Sequence, residues 1–370
     1  MSFEPLKDIR VVDVTASLAG PTCTQLLAAL GADVVKIEPP EGDHARAWGP
    51  PFIDGDGALF FVANAGKQSL AVDLRRDVDV VLRLADEADV FVQSLRPGLA
   101  QELGLDADAL RARNPRLVYC SIGAYGTVGP LADRPGYDPL MQAASGLMSV
   151  TGEPDGPPVR AGVSLIDFAT GQWAAIGILA ALLERRQTGT GRTIDTSLYE
   201  TALALVSAQL TAYAATGEVP GRHGTAFGPI APYEVFPTSD GALMIVAGSD
   251  ALYERLRGVL DLPDDERFRT NPDRVRNRAE LAALIAERLR ARTSDDWEAA
   301  LSAAGVPASP VRDIGEAFAH EQTRALGILE QLGGGTTVSP PLSVDGERIR
   351  HRTPPPRLGD YDNGGQGPAR

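Results

Sequence analysis

Ile9-Arg10-Val11-Val12-Asp13-Val14, a helical stretch over residues 21–30 and then Asp33-Val34-Val35-Lys36-Ile37-Glu38 together decide the fold. Two β-branched runs flank an apolar helical one, which is the pattern of a parallel βαβ unit. It continues through Ser69-Leu70-Ala71-Val72-Asp73, a helix over 77–87, Asp89-Val90-Phe91-Val92-Gln93, a helix over 106–113 and Leu117-Val118-Tyr119-Cys120-Ser121-Ile122. The fold class is therefore α/β, with a parallel sheet covered by helices. Ligands of such sheets gather beyond the carboxyl ends of the strands, so the loops opening at Thr15, Glu38, Ser94 and Gly123 are the ones expected to converge on a site.

Further along, helices are expected over 171–186 and 198–216, joined by the turn-rich connector Gln187-Thr188-Gly189-Thr190-Gly191-Arg192. Residues 221–232 are rich in Gly and Pro. After them Tyr233-Glu234-Val235-Phe236-Pro237 and Ala242-Leu243-Met244-Ile245-Val246-Ala247 flank Thr238-Ser239-Asp240-Gly241, a hairpin with its turn signal at the tip. Helices over 250–259, 277–292 and 294–303 complete a smaller α+β unit spanning residues 227–314. No internal repeat is present, and the Gly-rich end reads as disordered.

A chain of 370 residues with 44% hydrophobic content builds two cores rather than one. A formal charge of −14 argues against nucleic acid or an anionic membrane as partner. Cys23 and Cys120 are the only cysteines, and His44, His223, His320 and His351 are scattered, so no metal is expected. The first residues carry no signal h-region, and no uninterrupted apolar stretch is read as long enough to span a bilayer, so a cytoplasmic location is expected. There is no G-x-G-x-x-G after the first strand, no Walker A and no G-x-S-x-G, which disfavours NAD, ATP and α/β-hydrolase chemistry.

Asp167 is the most informative single residue. It is a lone carboxylate in Ala161-Gly162-Val163-Ser164-Leu165-Ile166-Asp167-Phe168, near the expected N-cap of a helix that is apolar nearly all round and buried for that reason. Helix amides would hold it ionised, the state a nucleophile needs, although an ordinary cap has the same geometry. Arg46, Lys67 and Arg96 are loop cations that could receive phosphates, or simply solvated charges. Asp138, in Arg134-Pro135-Gly136-Tyr137-Asp138-Pro139, could cap the helix that follows it.

Several stretches taken together resemble the class III coenzyme A transferases of the CaiB/BaiF family, which also contains the α-methylacyl-CoA racemases. They are Asp13-Val14-Thr15, Ala19-Gly20-Pro21-Thr22-Cys23-Thr24-Gln25, Leu30-Gly31-Ala32-Asp33-Val34-Val35-Lys36-Ile37-Glu38 and Gly42-Asp43-His44-Ala45-Arg46, then Arg96-Pro97-Gly98, Gly136-Tyr137-Asp138 and Asp167 in order. Gly189-Thr190-Gly191-Arg192, Tyr199-Glu200-Thr201 and Ala304-Gly305-Val306-Pro307-Ala308-Ser309-Pro310-Val311 extend the resemblance over residues 6–358.

The resemblance implies an interlocked homodimer with a Rossmann-like large domain and a small α+β domain. Residues 1–200 would begin the large domain, 201–226 link, 227–314 form the small domain, 315–358 return, and 359–370 form a disordered tail. It implies an acyl-CoA and a carboxylic acid as substrates, with no tightly bound cofactor. Asp167 would be the nucleophile, passing through an aspartyl anhydride and an aspartyl-CoA thioester. Arg46, Lys67, Ser94, Leu95, Arg96, Gly98, Leu103, Tyr137 and Asp138 would contact CoA. Two alternatives stay open: a racemase, in which Asp167 moves an α-proton, and a CoA-binding protein without transferase activity. Tyr137 stands where the racemases carry histidine, and a phenol is a poor base at neutral pH, which favours transfer. The chain departs from the family pattern at Leu18, where formyl-CoA transferases have glutamine, at Ser94, where asparagine is usual, and at Glu102, where a basic residue is common.

Overall fold

A computed structural model describes residues 3–362. The chain divides into two compact units, one of residues up to 147, 160–217 and from 322 onward, the other of Met148–Val159 with Glu218–Glu321.

In the first unit six strands form one parallel sheet: β1 (Arg10–Val14), β2 (Asp33–Glu38), β3 (Gln68–Ala71), β4 (Val90–Gln93), β5 (Val118–Gly123) and β6 (Thr193–Ser197). Their order across the sheet is β3-β2-β1-β4-β5-β6. β6 was not expected. Thr193-Ile194-Asp195-Thr196-Ser197 has one apolar residue, because an edge strand needs little burial. Elsewhere the period of two divides the core. Val11, Val34, Val90, Val92, Val118 and Cys120 pack on one face, and Val12, Val14, Val35, Ile37, Phe91 and Tyr119 on the other. The chain moves outward from β1 through β2 to β3, then restarts at β4 on the opposite side of β1. That reversal opens a crevice at the carboxyl ends of β1 and β4.

The helix bearing Asp167 runs from Leu165 to Thr188 and stops at Gly189, whose φ of 73° is left-handed. It is long and apolar enough to cross a membrane, by length and composition alone, contrary to the expectation that no stretch is. It is also not buried all round. Ile166, Ala174, Ala175, Ile178, Ala181 and Leu182 enter the core, whereas Trp173 and Ile176 are each 54% exposed and Leu183 is 63% exposed. An apolar circumference does not say which side the sheet covers. The helix expected over 198–216 breaks at Val206 into Leu198–Leu205 and Ser207–Thr216.

The second unit holds a three-stranded antiparallel sheet of Tyr233–Pro237, Ala242–Val246 and Ala308–Pro310. Phe236, Leu243, Ile245, Tyr253, Leu256, Ile285, Trp297 and Leu301 form its core. Met148–Val159 joins this unit because Gly224 N donates to Gly152 O (2.9 Å) and the Arg222 guanidinium to the carbonyls of Glu153 and Gly156.

The expected disordered tail needs correction where it begins. Ser69 N donates to Asp360 Oδ1 (2.9 Å), Gly359 N donates to Ser69 Oγ (3.2 Å), and Tyr361 packs on the core beside β3. The rest of that expected tail, residues 363–370, lies outside the described residues.

Candidate active site

The switch-point crevice has a volume of about 390 Å³ and is lined by Val14, Thr15 and Ala16 at the end of β1 and just beyond it, Ile37 to Glu41 and Asp43 at the end of β2 and in its loop, Val72 to Leu74 after β3, and Ser94 and Leu95 after β4. Three of the four loops singled out from the sequence converge there, those at Thr15, Glu38 and Ser94. Two bonds stitch the loops across the switch point: Ala16 N donates to Ser94 Oγ (3.2 Å) and Ser94 N to Val14 O (3.3 Å).

Beneath these loops lies a fully buried charge network that the sequence reading missed. Asp13 accepts from Thr15 N, Thr15 Oγ1, Thr24 Oγ1 (2.6 Å) and Lys67 Nζ (3.0 Å). Lys36 Nζ donates to Thr15 O (2.7 Å) and pairs with Asp43 at 2.9 Å. Burial alone would raise Asp13, but Lys67 and Lys36, with the hydrogen bonds from Thr15 and Thr24, outweigh it and hold its carboxyl below the usual value. The only sequence signal was Asp13 and Lys36 at inward positions of otherwise apolar strands.

This network redirects two of the expected phosphate contacts. The Lys67 ammonium donates to Asp13, Pro21 O and Asn64 Oδ1, so none of its three donors is left for a phosphate. Arg46 forms a fork on Glu38, with Nε to Oε2 at 2.8 Å and Nη2 to Oε1 at 2.7 Å, pairs with Asp56 at 2.9 Å and stacks on Phe60. Both cations brace the loops. Arg96 is more than half exposed and pairs with Glu102 at 3.1 Å. Gly98, with φ of 82°, starts the short helix Leu99–Glu102, and Leu103 ends it against the core.

Asp167 is the third residue of its helix; the N-cap is Ser164, whose side chain makes no capping bond. Capping comes instead from Asp138. This buried carboxylate opens the helix Asp138–Ala144, but its Oδ2 accepts from Ile166 N (2.8 Å) and Asp167 N (3.4 Å), while Oδ1 accepts from Gln142 Nε2 (2.6 Å). Gln142 in turn takes Ala161 N on its Oε1 (2.9 Å). Asp138 therefore caps the Asp167 helix rather than the one it opens, whose N-cap is Tyr137 with no side-chain capping bond, and sets a second negative charge beside the first. Among the described residues the Asp167 carboxylate has no cationic partner. Burial and the charge of Asp138 push it up to about 7, rather than leaving it readily ionised as expected. Tyr137, the residue before Asp138, is 55% exposed.

Asp167 and the crevice share one edge of the sheet. The helix Ala19–Ala29 leaves the carboxyl end of β1. The Asp167 helix ends at the opposite edge, where Arg185 donates to Asp89 O (3.2 Å) and Arg116 O (2.9 Å), so both helices run the same way. Gly171 fixes their level: a Cβ there would lie 2.6 Å from Ala19 O and 3.0 Å from Cys23 N. Asp167 lies four residues before Gly171 on the same face, about 6 Å along the axis, which sets it at the level of the loop from Thr15 to Leu18 that precedes Ala19. The crevice opens toward the other layer, flanked by Val14 and Ile37. A ligand that fills the crevice and reaches Asp167 must be long enough to cross that loop.

Comparisons with known proteins identify the family. The profile described as CoA-transferase family III matches residues 6–362. A succinate–glutarate CoA-transferase of Agrobacterium fabrum is 40% identical over 375 residues, covering 96% of this chain and 94% of that protein. An acetyl-CoA:oxalate CoA-transferase of Acetobacter aceti is 38% identical, covering 95% and 92%. A crystal structure of a CaiB/BaiF family protein from Brucella suis superimposes with a TM-score of 0.89 at 39% identity, covering 97% of this chain and 98% of that one. Matched by the family profile over residues 6–362 and by a CoA-transferase over 96% of its length, the chain belongs to CoA-transferase family III and is a CoA-transferase.

Proposed function

We propose that the protein moves CoA from an acyl-CoA to a short dicarboxylic acid, with Asp167 as the covalent nucleophile. The observation that carries this reading is a half-buried carboxylate with no cationic partner among the described residues, at the same edge of the sheet as the switch-point crevice. An Asp167 oxygen attacks the thioester carbonyl, the C–S bond breaks, and an aspartyl anhydride and CoA thiolate form. The thiolate attacks the aspartyl carbonyl, releasing the donor acid and leaving an aspartyl-CoA thioester. The acceptor carboxylate attacks that thioester, expelling thiolate and forming a second anhydride. Thiolate then attacks the acceptor carbonyl, giving the new acyl-CoA and restoring Asp167. Covalent catalysis divides one exchange into easier steps, provided water is excluded.

The crevice suits the nucleotide end of CoA, with Ser94 and Leu95 in its wall and Arg96 and Gly98 just beyond. The dicarboxylic acceptor is inferred from relatives named for succinate, glutarate, oxalate and mesaconate. Trapping with borohydride or hydroxylamine in the presence of acyl-CoA should label Asp167; full transfer activity with labelling elsewhere would sink the mechanism. Solvent deuterium entering the α-carbon without an acceptor would instead favour the racemase.

We also infer a cytoplasmic homodimer. Support for the dimer comes from the exposed apolar face of Trp173, Ile176 and Leu183, and from the helix Ser207–Thr216, which buries no residue and exposes Leu210 and Tyr213. Analytical ultracentrifugation showing a monomer at micromolar concentration would overturn it.

A further inference from the structure

Ser17 lies on the loop between the crevice and Asp167, and its backbone is left-handed, with φ of 69°. The other non-glycine residues in that region, among the described residues, are Asp54, Asp261 and Asp345. A serine held there is strained unless its neighbours fix it. Two do so. Asp43 Oδ1 accepts from Ser17 N (3.2 Å), and Ser17 Oγ lies 2.8 Å from His44 Nε2. The imidazole sits edge-on to Trp48, with centroids 5.1 Å apart, and its side chain is 50% exposed. A hydroxyl and an imidazole thus meet at an accessible point of the carboxyl edge.

The pair is not an oriented nucleophilic triad. His44 Nδ1 is 3.7 Å from Asp43 Oδ1, beyond hydrogen-bond reach, and that oxygen already accepts from Ser17 N and Ala45 N. Asp43 is itself neutralised by Lys36 at 2.9 Å, so its charge does not repel an anion from the pair. An imidazole donating from Nε2 to Ser17 Oγ leaves the hydroxyl hydrogen pointing outward, a donor that matches a carboxylate oxygen.

We propose that Ser17 and His44 receive the free carboxylate of the dicarboxylic substrate while its other carboxyl reacts at Asp167, and so select dicarboxylic acids over monocarboxylic acids of the same length. This rests on the transfer reading above. The test compares glutarate with pentanoate as acceptors, using one acyl-CoA donor, for the wild type, Ser17→Ala, Ser17→Gly and His44→Gln. Glycine suits the left-handed backbone and guards against misfolding as the cause. The ratio of kcat/KM for glutarate over pentanoate should fall at least about tenfold in each variant, with the loss in KM. A ratio that stays within twofold of the wild type overturns the proposal. Independently of turnover, the ring resonances of His44 in the wild type should move on saturation with glutarate and not with pentanoate; no movement, or equal movement, overturns it. If the wild type transfers CoA to neither acid while His44 still responds to glutarate, the transfer reading fails and the carboxylate site stands.

Discussion

Two groups of carboxylates sit at the same edge of one sheet and are treated in opposite ways. Asp13, Asp43 and Glu38 are buried and each is answered by a cation: Lys67 at 3.0 Å, Lys36 at 2.9 Å and Arg46 at 2.7 Å. Asp138 is answered by the amides of Ile166 and Asp167 and by Gln142, and among the described residues the adjoining Asp167 carboxylate has no cationic partner. Arg46 and Lys36 hold Glu38 low against the opposing effect of burial, whereas burial and Asp138 push Asp167 up to about 7. A carboxylate whose charge is fully answered is framework; one left unanswered keeps its electron pair for chemistry. The difference separates bracing residues from reacting ones without reference to the fold's name.

The contrast breaks first if Asp167 proves replaceable. Asp167→Ala should lower steady-state transfer by roughly 10⁴-fold, with CoA binding by calorimetry retained, since only the covalent route is removed. On the other side, Lys67→Met leaves buried Asp13 without its direct ion-pair partner, and denaturant unfolding should show a loss of about 3–5 kcal/mol. A loss under about 1 kcal/mol would mean that the network is not framework.

Asp167→Asn should stabilise. The folded state holds the Asp167 proton more tightly than the unfolded chain does, so the wild type loses stability as pH rises from about 4 to about 7. The variant should gain on the order of 2 kcal/mol at pH 8, after allowance for its partial exposure, and nothing at pH 4. Thermal unfolding at the two pH values checks this. The smallest effect sharpens the role of Asp138. Wild-type kcat/KM should climb through about pH 7 as Asp167 ionises. In Asp138→Asn that limb should move to lower pH, because a negative charge beside Asp167 is gone; an unmoved limb assigns the rise to another group.

Much of the fold was legible because the β-branched runs and the helix between them have periods that only a parallel βαβ layout satisfies. β6 was hidden by its polar edge composition, and the break at Val206 by the continuous apolar pattern on either side of it. Within the site, Asp167 stood out as a lone carboxylate in an apolar stretch, while Ser17 and His44 carried no local signal. Lys67 and Arg46 illustrate the opposite error. A cation on a loop near the ligand edge reads as a phosphate contact, until its donors are seen to be engaged by Asp13, Pro21 and Asn64, or by Glu38 and Asp56.

By itself the sequence determined the α/β class, the approximate position of the smaller unit, the loops at the carboxyl edge and Asp167 as the residue to watch, because each of these is written in local pattern or in neighbouring residues. Tertiary structure alone decided which charges meet. Asp138 caps a helix that begins 27 residues later, and Lys67 reaches back to Asp13 across 54 positions. Electrostatic partnership depends on distance and burial in space, and neither is encoded in sequence separation.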